Sequence, residues 1–181
     1  MPLAPRRRCL SLESPAPSLK GVLDRTVAAV LLLCTAPWLA LVALAVWSTD
    51  DGPLLDREPR VGQWGRRFDL LRLRTVPPAG RGRSHVRDLV RRTHLDELLQ
   101  LVNVLRGDMA LIGPLAPTPA EWSRRTTDVR SLLRPGVVGL RPLTGGQADG
   151  DEVTVTEWYV REWTPVLDLR ILVRALLRSG G

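Results

Sequence analysis

The chain has 181 residues and a formal net charge of +7, and its 26 basic residues include one lysine, Lys20. This length allows one domain with a core and is short for two. Two cysteines (Cys9, Cys34) and two histidines (His85, His94) are too few for a disulfide framework, a zinc site or a histidine-based metal site. The basic excess favours an anionic partner, which leaves nucleic acid, anionic lipid and phosphorylated substrates open.

The N-terminal part of the chain predicts a disordered segment followed by a membrane segment. Residues 1–18 are rich in Pro, Ser and Arg, a composition typical of disorder. Within residues 19–48, the stretch from Val27 to Trp47 has no charged side chain, and roughly 20 such residues can cross a bilayer. Pro37 stands in its middle and predicts a kink or a break. A kinked spanning helix and a re-entrant helix–break–helix both remain open.

Basic residues flank this apolar segment on both sides. Arg25 precedes it, and Arg57 and Arg60 follow it. Because arginine favours the cytoplasmic side, the re-entrant topology suits both flanks better than a simple span. A signal peptide is a third option, since Ala43–Ala45 resembles a small-residue cleavage site. The basic lead-in, Pro37 and the disulfide-free remainder argue against it.

The rest of the chain reads as short elements. Apolar and basic residues alternate over Val61–Val76, which predicts a small hairpin or an irregular basic loop, and residues 77–82 form a Pro/Gly-rich linker. Leucines at three- and four-residue spacing predict a helix over His85–Leu105, with Gly107 as its cap. Trp158–Arg178 reads as a single basic amphipathic helix. It fits a membrane interface and a surface helix packed on the core about equally well.

Two adjacent carboxylates, Asp96 and Glu97, follow the pair Arg91–Arg92 at a position that resembles a helix start. Thr93 with Asp96 resembles a capping box, and first-turn acids usually do no more than complement the helix dipole. A second set of arginines stands upstream: Arg60, Arg66, Arg67, Arg72 and Arg74. Arginine binds phosphate through two donors, whereas a carboxylate can hold Mg²⁺ or attack phosphorus. The combination predicts phosphoryl transfer.

Short motifs follow the chain from Lys20 to Leu177. They read Lys20-x-x-x-Asp24, Pro37, Gly52-Pro53, Arg60-Val61-Gly62-x-x-Gly65-x-x-Phe68, Arg72-Leu73-Arg74-Thr75, Leu95-Asp96-Glu97-Leu98-x-Gln100-Leu101-x-Asn103-Val104-Leu105-x-Gly107-Asp108-Met109, Leu111-Ile112-Gly113-Pro114, Arg134-Pro135-Gly136-Val137-x-Gly139-Leu140 and Leu167-Asp168-Leu169-x-Ile171. In this order they resemble the bacterial sugar transferase family, the monotopic phosphoglycosyl transferases that act on polyprenyl phosphate.

The resemblance implies a fold and a reaction. The fold is α-rich with minor β: a re-entrant membrane helix at residues 19–48 and a cytoplasmic catalytic domain at residues 49–181, with amphipathic helices at the inner membrane. The reaction moves sugar-1-phosphate from a UDP-sugar to polyprenyl (undecaprenyl) phosphate, with Mg²⁺, through an aspartyl-phosphosugar intermediate. It would initiate the synthesis of an exopolysaccharide or another glycoconjugate.

The resemblance also assigns roles to residues. Asp96 is the expected nucleophile and Glu97 its acidic partner, both near Mg²⁺. The expected substrate-binding residues are arginines: Arg60, Arg72, Arg74, Arg91 and Arg134. Membrane lipids and a second copy of the chain are further expected partners. Nucleic acid is not expected, because the apolar segment Val27–Trp47 points to a membrane and no nucleic-acid recognition element stands out.

The chain departs from the family pattern at several positions. Leu115 and Gly146 stand where the family has arginine, Leu99 replaces a proline, Glu58 replaces a glutamine and Arg72 replaces a lysine. The loss of two phosphate-binding arginines keeps an alternative open. In that alternative the chain is a non-catalytic relative that docks on the membrane and binds a partner.

Overall fold

A computed structural model describes residues 19–49, 54–74, 89–90, 94–124, 129–140 and 150–179. Within these ranges the protein is mostly helical, with two small two-stranded sheets, which confirms the predicted α-rich class. The predicted disordered segment 1–18 and the linker 77–82 lie outside the described residues.

The first helix, α1, spans Leu19–Thr49 and continues through Pro37 without a change of element. Its bounds agree with the predicted segment 19–48. By length and composition, Leu19–Ala45 is long and apolar enough to cross a membrane. The hydroxyls of Thr26 and Thr35 donate to carbonyl oxygens one turn earlier, so these two polar groups are satisfied inside the helix.

Only one side of α1 packs against the rest of the protein. Ala28 is fully buried and Leu32 packs beside it in the larger core cluster, whereas Leu39 and Val42 pack on a smaller cluster around Leu73 and Val90. The other side exposes large apolar residues, among them Val30, Leu33, Trp38, Leu41, Leu44 and Trp47. The helix therefore lies along the domain and keeps a broad apolar surface free.

A hairpin follows α1. Strand β1 (Leu55–Val61) pairs antiparallel with β2 (Arg67–Leu73) around the 3-10 turn Gln63–Gly65. This confirms the predicted hairpin, but its first strand begins before the predicted region. Most β1 residues are exposed or half-buried, so this strand lacks the apolar alternation that marks β2.

The predicted helix His85–Leu105 is wrong as a single element. His94 adopts a left-handed conformation (φ 53°, ψ 23°) and caps a 3-10 helix, Leu95–Leu99, which leads into α2 (Gln100–Arg106). Leu95 and Leu99 pack against the same small cluster as Val90, which lies before the turn. Apolar residues on both sides of the turn therefore keep a helix-like spacing, although the backbone is not one helix. The capping-box residue Thr93 lies outside the described residues.

The cap predicted at the end of this region is confirmed. Gly107 follows α2 in a left-handed conformation (φ 85°), and its N–H bonds to carbonyls of the last turn. A side chain here would also meet the Arg25 guanidinium, since a Cβ would stand 2.5 Å from its Nη2. Gly107 thus ends α2 and lets α1 approach it closely.

The remaining elements close the core. Strands β3 (Ala110–Ile112) and β4 (Gly136–Val138) pair in parallel, and helix α3 (Pro119–Arg124) lies between them in the chain. Helices α4 (Gly150–Glu162) and α5 (Pro165–Ser179) complete the described chain. The larger core cluster draws its buried residues from α1, α2, the strands and both C-terminal helices.

The C-terminal run is two helices and not the single one that was predicted. Thr164 separates them, and its hydroxyl accepts the N–H of Leu167, while Pro165 occupies the first turn of α5. Ile171 is fully buried, so α5 packs on the core. Val166, Leu169 and Val173 stay exposed on the same helix and leave an apolar stripe beside Arg170 and Arg174.

Candidate active site

Asp96 and Glu97 lie in the first turn of the 3-10 helix, as the sequence predicted. Asp96 is 7% exposed, and its Oδ1 atom has no hydrogen-bond partner among the described residues. A carboxylate oxygen removed from water without a donor is costly. Such an atom is typical of a position reserved for a ligand or for chemistry.

The neighbouring carboxylate, Glu97, is held from two sides. Arg72 of β2 forms a hydrogen-bonded ion pair with its Oε1 atom. The Nδ1 atom of His94, one residue before the 3-10 helix, is 3.9 Å from the same oxygen. The hairpin therefore brings the guanidinium of Arg72, which was expected to bind substrate, to the dyad from a distant part of the sequence.

A third carboxylate, Glu58 of β1, contacts both hairpin arginines. Its Oε2 accepts a hydrogen bond of 2.6 Å from Arg60 Nη2, and its Oε1 is 3.8 Å from Arg72 Nη1. In the sheet, Glu58 is paired with Leu70, so Arg60 lies two residues along one strand and Arg72 two residues along the other. All three side chains share a face of the hairpin.

Arg60 also reaches the loop after β3. Its Nη1 donates to the Ala116 carbonyl oxygen at 3.0 Å, next to the position where Leu115 replaces a family arginine. The main chain repeats this link, since Val61 N–H donates to the Pro117 carbonyl. A positive charge therefore stands beside this loop although residue 115 supplies none.

Asn103 of α2 fixes the strand that carries Arg72. The side chain is fully buried; its Oδ1 accepts the Leu71 N–H at 3.1 Å, and its Nδ2 donates to the Asp69 carbonyl at 2.8 Å. These bonds replace a neighbouring strand along one edge of β2. The register of β2 against α2, and hence the reach of Arg72 toward Glu97, depends on this amide.

The other predicted substrate-binding arginines lie elsewhere or outside the described residues. Arg134 interacts with charges near Gly107 (Arg25, Arg66, Asp24 and Asp108), and burial together with the positive Arg25 lowers its pKa. This cluster is at the far end of α2 from Asp96, roughly 18 Å along the 3-10 helix and α2. Arg74 follows β2, where its N–H donates to the Leu54 carbonyl. Arg91 lies outside the described residues.

The carboxylates allow one kind of metal site and argue against another. Among the described residues there is no group of three or more His, Cys, Asp and Glu side chains that could enclose a metal. Mg²⁺ needs fewer protein ligands, because it keeps waters and substrate phosphates in its coordination shell. The unpartnered Asp96 Oδ1 and the adjacent Glu97 fit such an ion.

Sequence reasoning did not assign a role to Glu58 or Asn103 in the site. An acid and a base two residues apart, as in Glu58 and Arg60, would share a strand face, but the strand itself was not predicted. Asn103 appeared only as one member of a motif, and a polar residue in a predicted helix reads as a solvent-facing one. Both residues act through contacts with strand β2, whose partners are not visible in the sequence.

Comparison with known proteins assigns this chain to a family. The model of the family described as bacterial sugar transferase matches residues 16–179, which include the dyad, the hairpin and both C-terminal helices. The chain belongs to the bacterial sugar transferase family. It is a sugar-phosphate transferase family enzyme, as the motifs predicted.

Individual relatives are about a third identical to the chain over the regions that align. The UDP-glucose:undecaprenyl-phosphate glucose-1-phosphate transferase of Caulobacter vibrioides is 35% identical over 87% of this chain and 68% of its own length. An uncharacterized sugar transferase of Bacillus subtilis is 31% identical, covering 90% of this chain and 89% of that protein. An Escherichia coli enzyme with the same name as the first is 29% identical, and the chain spans only 40% of its length.

Proposed function

We propose that this sugar transferase moves sugar-1-phosphate from a UDP-sugar to polyprenyl phosphate through a phosphosugar bound to Asp96. The observation that carries the proposal is the buried, unpartnered Asp96 Oδ1 beside the Glu97–Arg72 ion pair. The relatives support the substrate class, because their names specify transfer of glucose-1-phosphate or galactose phosphate to undecaprenyl phosphate.

In the first step, a carboxylate oxygen of Asp96 attacks the β-phosphorus of the UDP-sugar. An oxygen–phosphorus bond forms, the bond from that phosphorus to the bridging oxygen breaks, and UMP leaves with the bridging oxygen and its electron pair. In the second step, an oxygen of polyprenyl phosphate attacks the same phosphorus. The Asp96 carboxylate leaves, and a polyprenyl diphosphate sugar is formed.

The charged neighbours of Asp96 prepare the site for a diphosphate. Arg72 and Arg60 supply guanidinium groups that stabilise negative charge on transferring phosphate oxygens. Asp96 and Glu97 would hold Mg²⁺ beside them. When bound, this ion supplies charge neutralisation at the phosphates. Arg74, Arg91 and Arg134 remain proposed contacts for the rest of the substrate.

We also place the enzyme at the cytoplasmic face of the inner membrane. The exposed apolar side of α1 and the exposed stripe of α5 support membrane contact, and a lipid-linked acceptor requires it. Basic residues on both flanks of α1 support a re-entrant course with both ends in the cytoplasm. The expected biological role is the initiation of exopolysaccharide or glycoconjugate synthesis.

The nucleophile is tested by Asp96→Asn, assayed for UMP release from UDP-sugars with Mg²⁺ in detergent micelles. The amide keeps the shape of the side chain but is not a competent nucleophile, so UMP release should fall by at least about 10³-fold. Asp69→Asn, an exposed carboxylate on β2, is the control and should retain wild-type release. Release by Asp96→Asn at the wild-type rate would contradict the assignment.

The alternative is the non-catalytic relative, which the losses at positions 115 and 146 keep open. It predicts a folded protein that releases no UMP from any UDP-sugar offered. The intact Asp96–Glu97 pair favours the active enzyme. Arg60, a family arginine in its own right, also contacts the loop at Ala116.

The re-entrant topology is tested with one single cysteine at the first residue of α1 and another on β1, the strand that follows the helix. Leu19→Cys and Arg57→Cys, each in a background with Cys9 and Cys34 changed to serine, are exposed positions suited to labelling. A membrane-impermeant maleimide added to intact spheroplasts should label neither position. Both should become labelled after permeabilisation. Labelling of Arg57→Cys alone in intact spheroplasts would indicate a spanning helix.

A further inference from the structure

Glu58 has no role in the reaction proposed above, yet it contacts Arg60 and Arg72, the two arginines proposed to stabilise the transferring phosphate. Its carboxylate accepts a hydrogen bond from Arg60 and forms an ion pair with Arg72. Arg72 in turn uses its other terminal nitrogen for Glu97. One guanidinium therefore lies between two carboxylates, one on each side of the site.

This arrangement restricts how Arg72 can move. An arginine side chain has several rotatable bonds, and a single ion pair at a half-exposed position holds it weakly. Arg72 has contacts at both Nη1 and Nη2, to two acids from different parts of the chain. Its planar guanidinium is thereby oriented, and so is the Glu97 carboxylate bonded to it.

The charges on the hairpin also indicate a role for Glu58. Arg60 and Arg72 lie two residues to either side of Glu58 along the paired strands, so their positive charges would repel each other without an acid between them. Glu58 is that acid. Its contacts leave the Nε groups of both arginines without partners among the described residues. The two guanidinium groups are therefore oriented and still have N–H donors available for a ligand.

We infer that Glu58 is a positioning residue of this transferase, which orients Arg72 and through it Glu97 next to the nucleophile. This inference rests on the proposed function. It predicts that the effect of Glu58 on catalysis depends on Arg72, whereas a residue that only stabilises the hairpin would affect every variant equally.

The test is a double-mutant cycle on UMP release, with kcat and KM measured separately. Glu58→Gln preserves size and an acceptor for Arg60 but removes the charge that faces Arg72. It should lower kcat about fivefold while KM for the UDP-sugar stays equal or falls, because one negative charge near an anionic substrate is gone. Arg72→Lys keeps the positive charge but replaces the planar guanidinium, with its two separate terminal nitrogens, by a single ammonium nitrogen that Glu58 and Glu97 do not orient in the same way. In this background Glu58→Gln should change kcat less than twofold.

Asp56→Asn is the matched control. Asp56 is an exposed carboxylate on β1, paired with Arg72 in the strand register, and the same charge change there should leave kcat unaltered. The midpoint of thermal unfolding is recorded for all variants in the same detergent. Equal midpoints show that a fall in kcat does not come from unfolded protein.

The outcomes separate the two proposals. A wild-type enzyme that releases UMP, with kcat losses that multiply in the double variant, overturns the positioning role and leaves the proposed function standing. Unchanged kcat in Glu58→Gln does the same. A folded wild-type protein that releases no UMP from any UDP-sugar overturns the proposed function and the inference with it.

Discussion

At the scale of single residues, Asn103 links the helix that follows the dyad to the strand that supplies Arg72. Its amide makes two hydrogen bonds to the β2 main chain from a fully buried position. An amide that satisfies a strand edge is difficult to replace, because water does not reach the groups it would leave unpaired.

We expect Asn103→Ala to destabilise the fold. The change leaves a buried N–H and a carbonyl without partners, which costs about 2–4 kcal/mol in the free energy of unfolding. The measurement is denaturant unfolding in detergent micelles. Gln63→Ala is the control, since this amide also donates to a main-chain carbonyl, that of Leu132, but is exposed; it should cost less than half as much. Equal losses in the two variants would contradict the importance of burial.

The residue scale also shows how far the sequence could predict the site. The dyad and Arg72 were predicted and lie together, because an acid pair at a helix start and a basic strand are visible as patterns. Glu58 received no role because its strand has no apolar alternation. Arg134 was grouped with the substrate-binding residues by motif, whereas the structure places it among charges near Gly107.

At the scale of elements, one ionic cluster joins the start of α1 to the two C-terminal helices. Lys20 contacts Asp168 at 2.7 Å and lies 5.8 Å from the ring centroids of Tyr159 and Trp163. Asp168 also accepts hydrogen bonds from the Tyr159 hydroxyl (2.6 Å) and from the Trp163 indole. The cluster fixes the beginning of the apolar helix to the two C-terminal helices.

The titration of Tyr159 gives this cluster a measurable signature. Burial and the bond to Asp168 raise the pKa of the Tyr159 hydroxyl well above its usual value. Above a pH of about 10 the unfolded chain ionises this group and the folded protein does not, so this contribution to stability declines as pH rises.

We therefore expect the effect of Tyr159→Phe to depend on pH. At pH 7 the variant lacks a hydrogen bond to a carboxylate and should lose about 1.5–3 kcal/mol of unfolding free energy. Above pH 10 the gap to wild type should narrow, because only the wild-type protein has the tyrosine to titrate. Denaturant unfolding at pH 7, 9 and 11 checks this. Glu157→Gln, an exposed residue of α4, should show little effect, and a gap that stays constant with pH would contradict the account.

Elements were predicted well where a pattern was long and uniform. The apolar helix and the hairpin were found, and Gly107 was correctly taken as a cap. Two predicted helices are each interrupted at one residue. At these residues the local backbone conformation ends the helix, while the apolar residues around them still pack on the core. This happens at His94, which is left-handed, and at Thr164, which starts a new helix with its own hydroxyl cap. Neither break disturbs the leucine spacing, so periodicity alone does not reveal them.

At the scale of the whole molecule, α1 connects two core clusters that lie at different points along its length. Ala28 and Leu32 belong to the larger one and Leu39 and Val42 to the smaller one, which also includes Leu95 and Leu99 on either side of the dyad. The apolar helix is thus part of the framework around Asp96 and Glu97. For the proposed function, this arrangement would suit a nucleotide substrate that comes from water and an acceptor that comes from lipid.

The one-sided packing of α1 has a practical consequence for handling and redesigning this protein. An anchor that merely spans can be exchanged for another hydrophobic helix, but here the residues facing the domain, such as Ala28, must keep their size. A chimera with a borrowed helix would lose part of the buried core that α1 shares with the rest of the protein. For the same reason, amphiphiles used in purification need to shield a lengthwise flank of the molecule instead of encircling a stalk.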